Sequence, residues 1–163
     1  MSEPAMTKHH DVANVVDRTA LIENIINQVI EAFCEPRAEP FGFFWNVILD
    51  SSIMPLGSKV KVVSAIAHEV EFKLDREEIH NVLALRNAFA HHPLNSHQVV
   101  VVAKNPEENR VFSQLQILKS SGKLERKARE HAHTEFNSSF VAAKDSLVGL
   151  LAAVRVVRAA SAA

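Results

Sequence analysis

Glycine and proline are scarce. With 4 glycines and 6 prolines in 163 residues, few points force a helix to stop, so long helices are expected. Cysteine is scarcer still: Cys34 stands alone, which excludes an internal disulfide and fits a reducing compartment. At the end of an apolar helical run, Cys34 is expected to be a buried, unreactive thiol. Excess charge is also missing. A net charge of -1 and a pI near 6.8 give no sign of non-specific attraction to nucleic acid or membrane. No apolar run reaches the roughly 18 residues of a membrane span. The opening residues, MSEPAMTKHHDVANVV, lack the basic flank and apolar centre of a secretion signal. A cytoplasmic protein without a membrane partner is expected.

What remains is ordinary globular composition, 47% apolar and 23% charged, in a length suited to one domain. Residues 1–13 read as a polar, flexible lead, 14–158 as a single helical domain, and 159–163 as a frayed C-terminus. From Asp17, Leu21, Ile22, Ile25, Ile26, Val29, Ile30 and Phe33 recur at three- and four-residue steps, which predicts an amphipathic helix. Pro36 and Pro40 break it. A short helix follows around Phe41–Asp50, whose aromatic cluster Phe41, Phe43, Phe44 and Trp45 is expected in the core, or as a dimer patch where exposed. Ser58 is placed to cap a helix carrying Val60, Val63, Ile66 and Ala67. Asp75 and Glu78 form a capping-box pattern ahead of Ile79, Val82, Leu83, Phe89 and Ala90, and Pro93 ends that helix.

The pattern then changes. Gln98–Val102 and Arg110–Leu118 are β-branched or alternating, with a turn at Asn105-Pro106, and the turn at Ser120–Gly122 can lead to a third strand. Thr134 is placed to cap a long last helix through Phe136, Phe140, Leu147, Leu151 and Val154. The expected fold is mainly α: a bundle of four to five helices with a small β-hairpin inserted before the last one.

Chemistry concentrates in Leu85-Arg86-Asn87-Ala88-Phe89-Ala90-His91. Asn87 and His91, four residues apart, share a helix face, and the long Arg86 side chain can reach the same space. Ala88, Phe89 and Ala90 are expected to face mostly inward. A guanidinium, an amide and an imidazole on one patch can bind and cleave a phosphodiester. Arg86 would hold phosphate oxygens and stabilise transition-state charge. His91 would take a proton from a 2′-hydroxyl, and Asn87 would orient the histidine or substrate. Arginines and histidines at helix ends also serve simply to offset the C-terminal dipole, and the residues alone leave both readings open.

Arg86-Asn87-Ala88-Phe89-Ala90-His91 resembles the Arg-polar-x-x-x-His motif of the HEPN superfamily. The preceding Ile48–Gly57 with Lys59, Val60, Lys61 and Val62 is similar to the mannitol operon repressor-like branch, where a glycine-bearing loop leads into a lysine-containing helix. The likeness covers roughly residues 40 to 95. It implies an all-α homodimer with two motifs meeting in a shared cleft. It also implies a metal-independent endoribonuclease, toxin-like, leaving 2′,3′-cyclic phosphate ends and paired with a nucleotidyltransferase-type antitoxin. Arg86, Asn87 and His91 are then the catalytic candidates. The alternative implied by the repressor-like branch is a non-catalytic regulatory or scaffolding module that binds a nucleotide, RNA or protein.

A local basic stretch, Lys119, Lys123, Arg126, Lys127 and Arg129, is the candidate RNA-binding groove, set against the plainer reading of a solvated turn. The close histidine pairs His9-His10, His91-His92 and His131-His133 invite a metal, but no HExxH, His-carboxylate triad or CxxC accompanies them, so no metal and no cofactor is expected. The Gly57-Ser58-Lys59 triplet lacks the upstream glycine and feeding strand of a phosphate loop. No helix-turn-helix with a basic recognition helix is evident.

Overall fold

The structure is a computed structural model that describes residues 3–36, 42–91, 98–101 and 110–161. Among these are four α-helices, a π-helical segment and three strands. Helix α1 spans Glu3–Cys34, so it begins well before Asp17 and takes in most of the expected flexible lead. Val15 is fully buried and Thr19 nearly so, which carries the inward stripe of Ile22, Ile26 and Val29 two turns upstream. Pro4 falls in the first turn, where no backbone N–H is required. Glu35 ends the helix at φ 45°, its N–H bonded to Glu31 O at 2.8 Å, and Pro36 follows. Cys34, expected buried, is exposed, because the last turn of α1 leaves the core. Leu21 also departs from the expected stripe at 47% exposed.

The expected short helix is a π-helical segment, Phe44–Ile48, with no buried residue of its own. Phe43 is exposed, Phe44 and Trp45 are half-buried, and the buried anchor is Leu49 just beyond. Phe41 lies outside the described residues. Of that cluster, Phe43, Phe44 and Trp45 are therefore not core. Helix α2, Leu56–Glu69, is N-capped at Pro55 rather than Ser58: the N–H groups of Ser58 and Lys59 both donate to Pro55 O, drawing Ser58 into the first turn. Helix α3, Arg76–His91, starts directly after Asp75 and buries Ile79, Val82, Leu85, Ala88 and Phe89, while Ala90 faces out.

Strands β1 (Gln98–Val101), β2 (Arg110–Leu118) and β3 (Leu124–Ala128) form an antiparallel sheet in that order. Val101 pairs with Arg110, and Leu118 with Leu124. The expected turn at Asn105-Pro106 lies outside the described residues. Gly122, at φ 83°, closes the β2–β3 turn in a conformation that costs glycine nothing. Leu115 and Ile117 alternate inward with half-buried Gln114 and Gln116. Helix α4 then runs from Arg129 to Ser161. Thr134 is inside it, its hydroxyl donating to Glu130 O at 3.0 Å, so it does not cap.

The chain divides into two compact units, interleaved in sequence. One comprises the residues up to Thr19 together with Glu77–Phe140; the other comprises Ala20–Arg76 and the residues from Val141 on. The first has Val15, Leu85, Phe89, Leu115, Ile117 and Phe136 in its core. The second has Ile22, Ile26, Val29, Val63, Leu147 and Leu150. Among the described residues no helix is long and apolar enough to cross a membrane.

Candidate functional site

Arg86, Asn87 and His91 lie in the last turns of α3. Ala88 and Phe89 are turned into the core, which leaves Asn87 and His91 exposed and Arg86 half-buried. Arg86 Nη1 donates to Asn87 Oδ1 at 3.1 Å, so the amide steers the guanidinium at the surface. His91 is the last residue of α3, and its neighbour His92 lies outside the described residues.

Phe89 anchors this helix end from inside, and the groups around it were not expected. The Arg129 guanidinium lies 4.8 Å from the Phe89 ring centroid, and the His133 ring meets Phe89 edge-on at 6.1 Å. Asp11 of α1 faces both, 3.8 Å from Arg129 Nε and 4.0 Å from His133 Nε2. On the other side of the imidazole, Nδ1 is 3.5 Å from Asn137 Nδ2, and Asn137 Oδ1 accepts from Arg18 Nη1 at 2.6 Å. Arg18 in turn lies over the Phe140 ring at 5.1 Å. Asp11 and Arg18 are seven residues apart on α1; Arg129, His133 and Asn137 follow at four-residue steps on α4. Each set makes one helix face, and both contacts advance in the same direction, so α1 and α4 lie parallel within this unit. That periodicity was the available signal.

Most of the candidate RNA-binding cations are already engaged. Lys119 Nζ donates to Asn81 Oδ1 at 3.1 Å and to Glu135 Oε1 at 3.2 Å. Lys127 Nζ contacts Glu135 at 2.5 Å and Glu125 at 3.4 Å, and Lys123 reaches Glu125 at 3.2 Å. Arg129 is only 5% exposed, and its burial lowers its proton affinity, offset in part by Asp11. Arg126 stays exposed. Burial pushes the Glu135 carboxyl upward, but hydrogen bonds from Lys127 and Lys119 outweigh it and leave it below the usual range. The same Glu135 bond raises Lys127. The network ties β3 and the β2–β3 turn to α4, and through Asn81 to α3.

In the other unit, Lys59 is 1% exposed and bonds Glu23 Oε1 at 2.5 Å, while Ser51 Oγ donates to the same oxygen at 2.7 Å. This lysine is held structurally, consistent with setting aside a phosphate loop. Among the described residues no group of three or more His, Cys, Asp or Glu is arranged to hold a metal ion. The chain matches no family model, and neither the curated proteins nor the solved structures contain a match.

Proposed function

We propose that the chain is a HEPN-like domain that acts as a metal-independent endoribonuclease, with Arg86, Asn87 and His91 as its working residues. The observation that carries this reading is the arrangement at the end of α3: exposed His91 and Asn87, with Arg86 bonded to Asn87, on a helix anchored by buried Phe89. His91 would accept the 2′-hydroxyl proton as the 2′-oxygen attacks phosphorus. Arg86 would neutralise charge on the non-bridging oxygens as the bond to the 5′-oxygen breaks. The leaving oxygen takes a proton, giving a 2′,3′-cyclic phosphate and a 5′-hydroxyl. A homodimer would bring a second copy of the motif to the same strand, and a nucleotidyltransferase-type antitoxin would be its partner. Its place of action would be the cytoplasm.

The test is RNA cleavage by purified protein in excess chelator. Cleavage should be lost in His91→Ala with the unfolding midpoint unchanged; cleavage that persists in the variant sinks the assignment.

A second reading, a non-catalytic regulatory or scaffolding module, is favoured by one observation. Lys119, Lys123 and Lys127 are engaged by the chain's own Glu125 and Glu135, which leaves fewer cations for phosphates. It predicts intact RNA in the same assay and a measurable complex with a nucleotide, RNA or protein.

A further inference from the structure

Asn137 links α4 to α1, and the direction of its amide is fixed by its partner. Arg18 can only donate, and its Nη1 bonds Asn137 Oδ1 at 2.6 Å, so Nδ2 points the other way. There it meets His133 Nδ1 at 3.5 Å. Nδ2 is itself only a donor. Nδ1 must therefore present a lone pair, which places the imidazole proton on Nε2. Nε2 is buried without a hydrogen-bond partner, and Asp11 Oδ1 stands 4.0 Å away. That is too far to accept from a neutral ring and near enough to attract a charged one.

Among the described residues, the groups facing this ring and amide are Asp11 and Arg18 from α1, Arg129 from α4 and the Phe89 ring from α3. Arg129 shares Asp11 with His133 and opposes a second positive charge beside it. A proton arriving on Nδ1 sets two donors against each other. Turning the amide satisfies the imidazolium but sets the NH2 group against the Arg18 guanidinium. Arg18 is the partner that can be released, because it is half-buried, reached by water, and keeps the Phe140 ring at 5.1 Å.

We propose that His133 is a proton-operated switch in the seam between α1 and α4. In the neutral form the seam closes through Arg18, Asn137 and His133 Nδ1. In the protonated form Asn137 turns to accept from Nδ1–H, Arg18 is released, and the seam closes through the ion pair of His133 with Asp11. The imidazole meets Phe89 edge-on at 6.1 Å, so the exchange reaches the residue that anchors the end of α3. The switch does not rest on the ribonuclease reading, because no residue of the Arg86–His91 patch takes part.

Histidine is the side chain whose charge ordinarily changes between about pH 5 and 8, so the test compares about pH 7.5 with about pH 5.5. Nitrogen-15 NMR of the full chain at the higher value should show the His133 imidazole as its Nε2–H tautomer. A double-mutant cycle in denaturant unfolding, Arg18→Met with Asn137→Ala, should give a coupling of at least about threefold at the higher pH and almost none at the lower. In a His133→Gln background, where the side-chain oxygen still accepts from Asn137, the coupling should persist at both. That background separates the histidine from acid effects elsewhere. The proposal is overturned by an Nδ1–H tautomer, by an Arg18–Asn137 coupling that is the same at both pH values, or by His133→Gln leaving the pH dependence in place.

Discussion

The same two helices are built differently in the two units. Between Ala20 and Cys34, α1 buries Ile22, Ile25, Ile26, Val29 and Ile30, and beyond Val141, α4 buries Ala143, Leu147, Leu150, Leu151 and Val154. Up to Thr19 and Phe140, the same helices instead bury Thr19, Arg129 and Ser139 beside Val15, Ala132 and Phe136, and they meet through Asp11, Arg18, His133 and Asn137. Apolar burial stabilises at about 25 cal/mol per Å² without demanding direction. Polar seams contribute less and demand geometry, since each partner must be met at a fixed distance. Along these two helices, then, the second unit relies on apolar burial, whereas in the first Arg129 and His133 pack against Phe89 near the end of α3.

The largest effect expected from breaking this contrast is in the apolar unit. Glu23→Ala removes the carboxylate bonded to the buried Lys59 ammonium, and denaturant unfolding should register a loss of about 3 kcal/mol. Lys59→Met, which removes the charge and keeps the volume, should cost far less. In the polar unit, Arg129→Met relieves the burial of a charge while losing its contact with Phe89, so its stability cost should be only about 1–2 kcal/mol. Its RNA cleavage should nonetheless fall by about tenfold or more, because a misplacement of about 1 Å can cost about a hundredfold in rate. A stability loss as large as that of Glu23→Ala, with cleavage intact, would reverse the comparison.

The smallest effect belongs to the lysine–glutamate network, worth about 1 kcal/mol or less because its members are partly solvated. Glu135 is shifted below its ordinary value of 4.5, so its contribution is complete above that pH and is lost as pH falls through the lowered value. Lys127 is shifted above 10.5, so its contribution is complete below that pH and is lost as pH rises through the raised value. Unfolding midpoints recorded across pH should show a shallow acid-side slope that Lys127→Ala flattens; an unchanged slope would remove the network from the account.

Much of the fold was legible because burial imposes period. The stripe Ile22, Ile26, Val29, the run Val60, Val63, Ile66, and Ile79, Val82 and Phe89 all face the core as their spacing requires, whereas Leu83 of the same expected set is half-buried and Ala90 exposed. The strands announced themselves by β-branching, and the α3 start by Asp75. Boundaries were less legible where competing signals met. The polar sequence around it hid the buried Val15, and Thr134 resembles a cap but bonds back to Glu130. At the end of α3, Asn87 and His91 are exposed and Arg86 is half-buried. The engagement of Lys119, Lys123 and Lys127 could not be read in advance, because Glu135 reaches them from another element and only the three-dimensional fold unites them. The same holds for Asp11 and His133, 122 positions apart in the chain.

The most direct measurement of the central claim is end-group analysis of RNA incubated with the protein in chelator, alongside Arg86→Ala and His91→Ala at matched unfolding midpoints. The account predicts 2′,3′-cyclic phosphate and 5′-hydroxyl ends from the parent and none above background from either variant. Uncut RNA with the folded parent, or the same ends from all three proteins, would contradict it.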